Sequence, residues 1–271
     1  MIKQICVLGG VDKMGNREPV RKVIFKMGNV ISIVGQTGSG KTTLIEDIEL
    51  FANENTPSGR RILIDGQTPT QDLSRNISNH PIALITQHTN FLSDMQVYKF
   101  LFTHASIRGS RNPEAFVDET LDFANQLTGE PIDLKNAMTE LSGGQTRALL
   151  IADAVIIGNS PIILLDEIEN AGIHRTRALE LLKKYEKIFI FVTHDPRIAL
   201  LSDFRIVMKN GAMQMVIQTG IEEKRVVEEI KKLDDLLLEF RMHIRNGQVL
   251  TEDMMRQRFD EAGYRSYREA I

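Results

Sequence analysis

The residues from Gly35 to Thr42, Gly35-Gln36-Thr37-Gly38-Ser39-Gly40-Lys41-Thr42, combine three glycines, a lysine and a hydroxyl at a spacing suited to holding a phosphorylated ligand. Glycines let successive backbone N–H groups turn inward around phosphate oxygens. The helix-compatible stretch beginning at Thr43 presents its positive N-terminal end to the same anion. Lys41 is expected to reach the β- and γ-phosphates and the Thr42 hydroxyl to ligate Mg²⁺. The apolar run Val30 to Val34 directly precedes the loop, giving the strand–loop–helix context that this chemistry requires. By itself the loop indicates a nucleotide and no more.

Two further stretches could act on that ligand. Leu141-Ser142-Gly143-Gly144-Gln145 opens the helical run from Thr146 to Ile156, so a serine hydroxyl and two glycine amides sit at a helix N-terminus, a second anion-binding device. Read alone, the same residues are also a plain helix start. Pro161-Ile162-Ile163-Leu164-Leu165-Asp166-Glu167 is an apolar strand ending in two carboxylates, at the strand end where α/β sheets bind ligands. Isolated, such a pair of acids is more often a solvated turn.

Taken in order, these stretches resemble the ATP-binding cassette (ABC) ATPases. Residues 141–145 resemble the signature that separates this family from other phosphate-loop proteins, and residues 161–167 resemble the Walker B motif followed by the catalytic glutamate. The resemblance runs from about residue 3 to about 217 and implies ATP and Mg²⁺ as ligands and ATP hydrolysis as the activity. Residues 35–43 would hold the nucleotide, Asp166 would hold Mg²⁺ with Thr42, and Glu167 would polarise the attacking water. Gln87, after the strand Pro81 to Thr86, resembles the Q-loop glutamine that touches the metal or its water. His194, after the strand Ile188 to Thr193, resembles the switch histidine that contacts the γ-phosphate. One loop cannot occupy both sides of one phosphate. In the family two cassettes pair head to tail, so Ser142, Gly143, Gly144 and Gln145 of one chain would face the nucleotide held by Lys41 of another, in a homodimer or a paired cassette.

The pattern departs from the family in two places. Many cassettes stack adenine on an aromatic side chain near the N-terminus, but residues 3–20 contain no Phe, Tyr or Trp, which points to aliphatic contacts with the base. The segment Ile168-Glu169-Asn170-Ala171-Gly172-Ile173-His174 differs from the usual D-loop, and His174 has no assigned role.

Positioning these groups requires a parallel sheet. Ile62 to Ile64, Ile82 to Ile85, Ile162 to Leu165 and Ile188 to Val192 are short apolar runs suited to strands buried on both faces, separated by helical stretches. The expected fold is α/β, a P-loop NTPase of ABC type with an N-terminal antiparallel β-subdomain. A helical subdomain is inserted at about 90–140, and a helical tail follows. Asn210-Gly211 between two apolar runs predicts a closing hairpin. The ATPase domain is expected to span 1–220 and a helical extension 221–271, where Val226, Ile230, Leu233, Leu237, Phe240 and Ile244 recur at spacings of four and three. Thr251 is placed to cap a second short helix.

A formal net charge of -3 gives no global attraction to nucleic acid or to anionic membranes. The single cysteine, Cys6, cannot form an internal disulfide and reads as a buried strand residue in a protein of the reducing cytoplasm. No stretch approaches the ~20 apolar residues of a membrane span, so a transport role needs separate membrane subunits. Two purposes for hydrolysis remain open, driving a membrane permease, for which residues 91–98 resemble a partner-gripping region, or remodelling a soluble protein complex. Alternatives are a DNA-repair or chromosome-type cassette and a small-molecule phosphotransferase; the signature sequence argues against the last.

Overall fold

Why the apolar runs do not alternate with polar residues is explained by where their two faces go. In the computed structural model β6 (Ile162–Asp166) and β7 (Ile188–Val192) lie side by side inside a six-stranded sheet of order β5-β6-β7-β3-β8-β9. Ile162, Leu164, Ile188 and Ile190 enter one hydrophobic cluster, and their neighbours Ile163, Leu165, Phe189 and Phe191 enter another on the opposite face. A strand with both faces buried must be apolar throughout. The structure describes the chain apart from residues 1, 71–72, 74–79, 87, 92, 168–174 and 265–271 and the side chains of 175–177.

The strands β3 (Val30–Val34), β5 (Ile82–Ile85), β6, β7 and β8 (Phe204–Lys209) are parallel, and β9 (Ala212–Gln218) returns antiparallel to β8. The β8–β9 turn is Asn210-Gly211, with φ of 53° and 86°, the pair of left-handed residues a tight two-residue hairpin needs. A second sheet of three antiparallel strands, β2 (Lys22–Lys26), β1 (Gln4–Leu8) and β4 (Arg61–Ile64), carries Ile5, Val7, Phe25 and Ile62 into the same cluster as β3 and helix α1 (Lys41–Glu49). Ile62 to Ile64, expected in the parallel sheet, instead pair antiparallel with β1, and only Ile62 and Ile64 are buried while Leu63 between them is partly exposed, the alternation of a strand with one covered face. Cys6 is buried in β1, and that burial raises its thiol pKa.

Helices α2 (Val97–Ile107) and α3 (Pro113–Leu127) form the inserted helical region expected from their spacing, and with α4 (Gly143–Val155) they supply Leu101, Val117, Phe123 and Leu149 to the second cluster. Their starts are encoded locally. Asn112 accepts a hydrogen bond from the Ala115 amide at 3.4 Å and is followed by Pro113, a cap and a first-turn proline. Helices α5 (Arg175–Leu182) and α6 (Pro196–Leu201) flank β7 in sequence.

The chain divides into two compact units, residues 1–219 and 220–271. The second comprises α7 (Ile221–Arg245) and α8 (Glu252–Glu261), the latter capped by Thr251, whose hydroxyl accepts from the Met254 amide at 3.3 Å. Within it Phe240 meets Phe259 and Arg258 pairs with Glu239 at 2.9 Å, while Val226, Leu233, Leu237 and Ile244 on α7 stay exposed.

Candidate functional site

Parallel pairing brings the expected functional residues to one edge of the sheet. Val192 is registered against Ile33 on one side and Asp166 on the other, so the phosphate loop leaving β3, the carboxylates ending β6 and the histidine following β7 emerge next to one another.

The loop has a shape only glycine allows at two points. Gly35 has φ of 154°, and a Cβ there would stand 2.5 Å from the Met208 carbonyl oxygen and 2.6 Å from Ser39 Oγ. Gly40 has φ of 98°, and its Cβ would stand 2.8 Å from Gly211 Cα in the β8–β9 turn. Lys41 Nζ lies across the loop and donates to the carbonyls of Gly35 at 2.9 Å and Gln36 at 3.2 Å. Gln36, Thr37 and Gly38 are exposed, as is Thr42, while Gly40 and Thr43 are half-buried. Ser39 Oγ is buried with no hydrogen-bond partner among the described residues. An open cradle of amides with a lysine at its rim suits a polyphosphate.

Glu167 is held in a left-handed backbone conformation, φ 50°, with its amide donating to the Val192 carbonyl at 3.0 Å. A non-glycine residue at positive φ stores strain, and such residues gather at functional sites. The conformation turns the Glu167 carboxylate toward His194, whose Nε2 lies 3.5 Å from Glu167 Oε1. His194 itself is exposed between two fixed neighbours. Thr193 is buried and its hydroxyl accepts from the Asp195 amide at 2.9 Å; Asp195 caps α6 by accepting from the Arg197 amide at 2.7 Å and also binds the Arg197 side chain.

The signature segment is a rigid helix start. Ser142 Oγ accepts from the Gln145 amide at 3.3 Å, and Gln145 Oε1 accepts from the Ser142 amide at 2.9 Å, a reciprocal capping box. Gln145 Nε2 donates to the Pro131 carbonyl at 2.9 Å, so this buried side chain is committed to holding the loop, leaving Ser142 and Gly143 outward and Gly144 half-buried. Among the described residues, the hydrogen bonds of residues 142–145 stay within their own helix start and the Pro131 carbonyl.

Gln87 and the segment 168–174, with His174, lie outside the described residues. Lys13 was not singled out in the sequence, where it is one of many surface lysines. It stands in the turn joining Val11 to Arg17, and its Nζ donates to the Gly38 carbonyl at 2.8 Å while its amide donates to the Asn210 carbonyl at 3.0 Å.

The model for "ABC transporter" matches residues 22–170, which contain the loop, the signature and both carboxylates. An uncharacterized ABC transporter ATP-binding protein of Methanocaldococcus jannaschii is 50% identical over 93% of this chain and 96% of its own length. The chain belongs to the ABC transporter family. It is an ABC-type ATPase of the transporter kind, and no described helix is long and apolar enough to cross a membrane. The lipoprotein-releasing system ATP-binding protein LolD of Shewanella frigidimarina is 29% identical over 79% of this ATPase and 87% of its own length. The energy-coupling factor transporter ATP-binding protein EcfA2 of Staphylococcus aureus is also 29% identical, over 78% and 74%. Among solved structures, cbiO1 of Clostridium perfringens, part of the ABC transporter complex cbiONQ, shares the fold with a TM-score of 0.61 at 24% identity, covering 90% of this chain and 99% of that one. A post-hydrolysis ATP-binding cassette dimer bound to ADP and Pi matches equally in fold, TM-score 0.61 at 23% identity over 80% and 99%.

Proposed function

We propose that two copies of this ATPase, or one copy and a paired cassette, close head to tail over two MgATP molecules and reopen after hydrolysis, driving a membrane permease. The observation that carries the hydrolytic part is the Glu167–His194 pair at 3.5 Å on the sheet edge beside the phosphate loop.

In this reading the amides of residues 35–43 and Lys41 bind the phosphates, with Lys41 exchanging its loop carbonyls for phosphate oxygens. Glu167 orients and polarises the attacking water, and His194 holds the γ-phosphate and the water in register. Ser142 and the amides of Gly143 and Gly144 supply donors from the second chain. The outward placement of Ser142 and Gly143 supports a role across an interface. Among the described residues no group of three or more His, Cys, Asp or Glu could hold a metal. The Thr42 hydroxyl and Asp166, joined by Gln87 as the family resemblance implies, instead offer a sparse oxygen set, which suits Mg²⁺ bound partly by phosphate and water. When bound, the ion neutralises charge on the phosphates; catalysis otherwise rests on preorganised donors.

Two features support a membrane partner over a soluble complex. LolD and EcfA2 are named for transport systems. The first turn of α2, after the Q-loop position, carries Tyr98 exposed and stacked on Phe102, while Phe91 just before the helix packs edge-on against Phe100 to brace that face for a partner.

The test is Glu167→Gln. It is expected to bind ATP like the parent, to hydrolyse it at least ~100-fold more slowly, and to accumulate a species of doubled mass with MgATP by light scattering. Membranes solubilised and passed over the trapped variant are then expected to yield a multi-span protein in an ATP-dependent manner. Turnover at the parent rate sinks the assignment of Glu167, and recovery of only soluble subunits sinks the permease.

A further inference from the structure

Three charged residues distant in sequence are sealed together beneath the phosphate loop. Glu18, Asp47 and Arg60 are 0%, 1% and 0% exposed. Arg60 Nη2 lies 2.5 Å from Glu18 Oε1, and Nη1 lies 2.8 Å from Asp47 Oδ2. The second oxygen of Glu18 accepts from the Gly10 amide at 3.0 Å, the first also from the Met213 amide at 2.8 Å, and Ser58 donates to Asp47 at 2.8 Å. The cluster thus ties the backbone at Gly10 and Met213 to the segments that carry Glu18, Asp47 and Ser58–Arg60.

The third partner of Arg60 points to function. Nη2 donates to the Gly211 carbonyl at 2.6 Å, and the Gly211 amide donates to the Ser39 carbonyl at 2.8 Å. Gly40 is packed so closely on Gly211 that a Cβ would stand 2.8 Å from Gly211 Cα. Asp47, held by the same guanidinium, lies on α1, the helix that begins at Lys41. The phosphate loop is therefore clamped between the β8–β9 turn and α1, and one planar guanidinium fixes both jaws. Only arginine has a fork of donors able to serve two carboxylates and a carbonyl at once.

We propose that Arg60 is a positioning residue for the phosphate loop, setting its shape through Gly211 and Asp47. This inference rests on residues 35–43 being the nucleotide cradle. A cluster serving stability alone would not explain the bond to the one turn on which Ser39 and Gly40 rest.

The experiment uses the full chain with Arg60→Lys, which keeps the charge but cannot reach all three acceptors, and Asp47→Asn, which keeps size and an acceptor oxygen while weakening the clamp. Val117→Ala, in α3 and in the other hydrophobic cluster, serves as a variant of reduced stability far from the loop in sequence. Equilibrium binding of a fluorescent ATP analogue and amide hydrogen exchange of the 35–43 peptide are measured, with melting temperatures alongside. Arg60→Lys is expected to weaken binding about tenfold and to speed exchange in that peptide, with Asp47→Asn moving both in the same direction by less. Val117→Ala is expected to lower the melting temperature and leave binding within about twofold of the parent. Parent-like binding in Arg60→Lys, or in Asp47→Asn should the lysine variant not fold, overturns the proposal. So does an equal loss of affinity in Val117→Ala at matched melting temperature. Lys41→Ala separates the underlying reading: if it binds as the parent does, residues 35–43 are not the cradle, whatever Arg60 does.

Discussion

Glu167 Oε1 and His194 Nε2 lie 3.5 Å apart across the β6–β7 pair, although 27 positions separate them in the chain. Residues that share one water and one phosphate act as a unit, so their losses do not add. His194→Ala is expected to keep ATP affinity while lowering turnover by about 10- to 100-fold. Adding it to Glu167→Gln should then cost little more than Glu167→Gln alone. Steady-state turnover of the two singles and the double checks this. Fully multiplicative losses would mean that the two side chains serve separate steps.

Gly40→Ala tests whether the loop's shape, and not merely its composition, binds phosphate. The new methyl would meet backbone at Gly211, which cannot rotate away, and would also sit at φ 98°. ATP affinity is expected to fall by at least about tenfold in an equilibrium titration. Gly15→Ala shares a positive φ of 83° with nothing within 4 Å, and is expected to cost only about 1–2 kcal/mol of stability with ATP binding retained. Equal effects at the two glycines would contradict the steric argument.

The parts of this site that could be read from the sequence are those in which neighbouring residues do one job. Gly35 to Thr42 carry the glycines, lysine and hydroxyl of the cradle in one uninterrupted run, Ile162 to Leu165 are apolar because both faces of β6 are covered, and Asn210-Gly211 turns the chain on its own backbone preferences. Asp195-Pro196 and Asn112-Pro113 likewise mark helix starts locally. The clamp was not readable. Glu18, Asp47 and Arg60 each look like surface charges in their own segments, and only the docking of the three-stranded sheet on α1 and the β8–β9 turn makes them a cluster. Gln145 shows a related limit. Its place in the signature suggests nucleotide contact, but its side chain is spent on the Ser142 amide and the Pro131 carbonyl.

Lys187 gives the fold a pH dependence of its own. Burial pushes its pKa down from 10.5 to about 8, and its Nζ donates to Asn159 Oδ1 at 2.7 Å. Below pH 8 both folded and unfolded chains carry the proton, and the folded state bears the full cost of burying the charge. Between about 8 and 10.5 the unfolded chain holds more protons than the folded one, so stability rises with pH through that window. The cost at neutral pH is on the order of 3 kcal/mol. Lys187→Met is expected to melt higher than the parent at pH 7, with the difference shrinking toward pH 10. A lower melting temperature at pH 7 would show that the bond to Asn159 outweighs desolvation.

The second compact unit, from Gly220, is dispensable for nucleotide binding on this account, because every residue assigned to the site precedes it. A chain ending at Thr219 is expected to bind ATP within about twofold of the full chain, while self-association or partner recovery weakens as the exposed Val226, Leu233, Leu237 and Ile244 are lost. Mass in solution with and without ATP, together with an ATP titration, checks both halves. Unaltered association and partner recovery would leave the tail without the adaptor role.

The central claim is that each catalytic site is built from two chains, and mixing two inactive variants tests it most directly. Lys41→Ala removes the phosphate ligand of one chain, and Ser142→Arg blocks the donor face it would offer to the other. Each is expected to be inactive alone. In a mixed dimer one site combines both defects and the other combines the intact loop of the Ser142→Arg chain with the intact signature of the Lys41→Ala chain. ATP hydrolysis by purified heterodimer, carrying a different affinity tag on each chain, is the measurement. The account predicts that turnover returns to a substantial fraction of the parent's; a heterodimer shown to form and still hydrolysing no ATP would contradict the two-chain site.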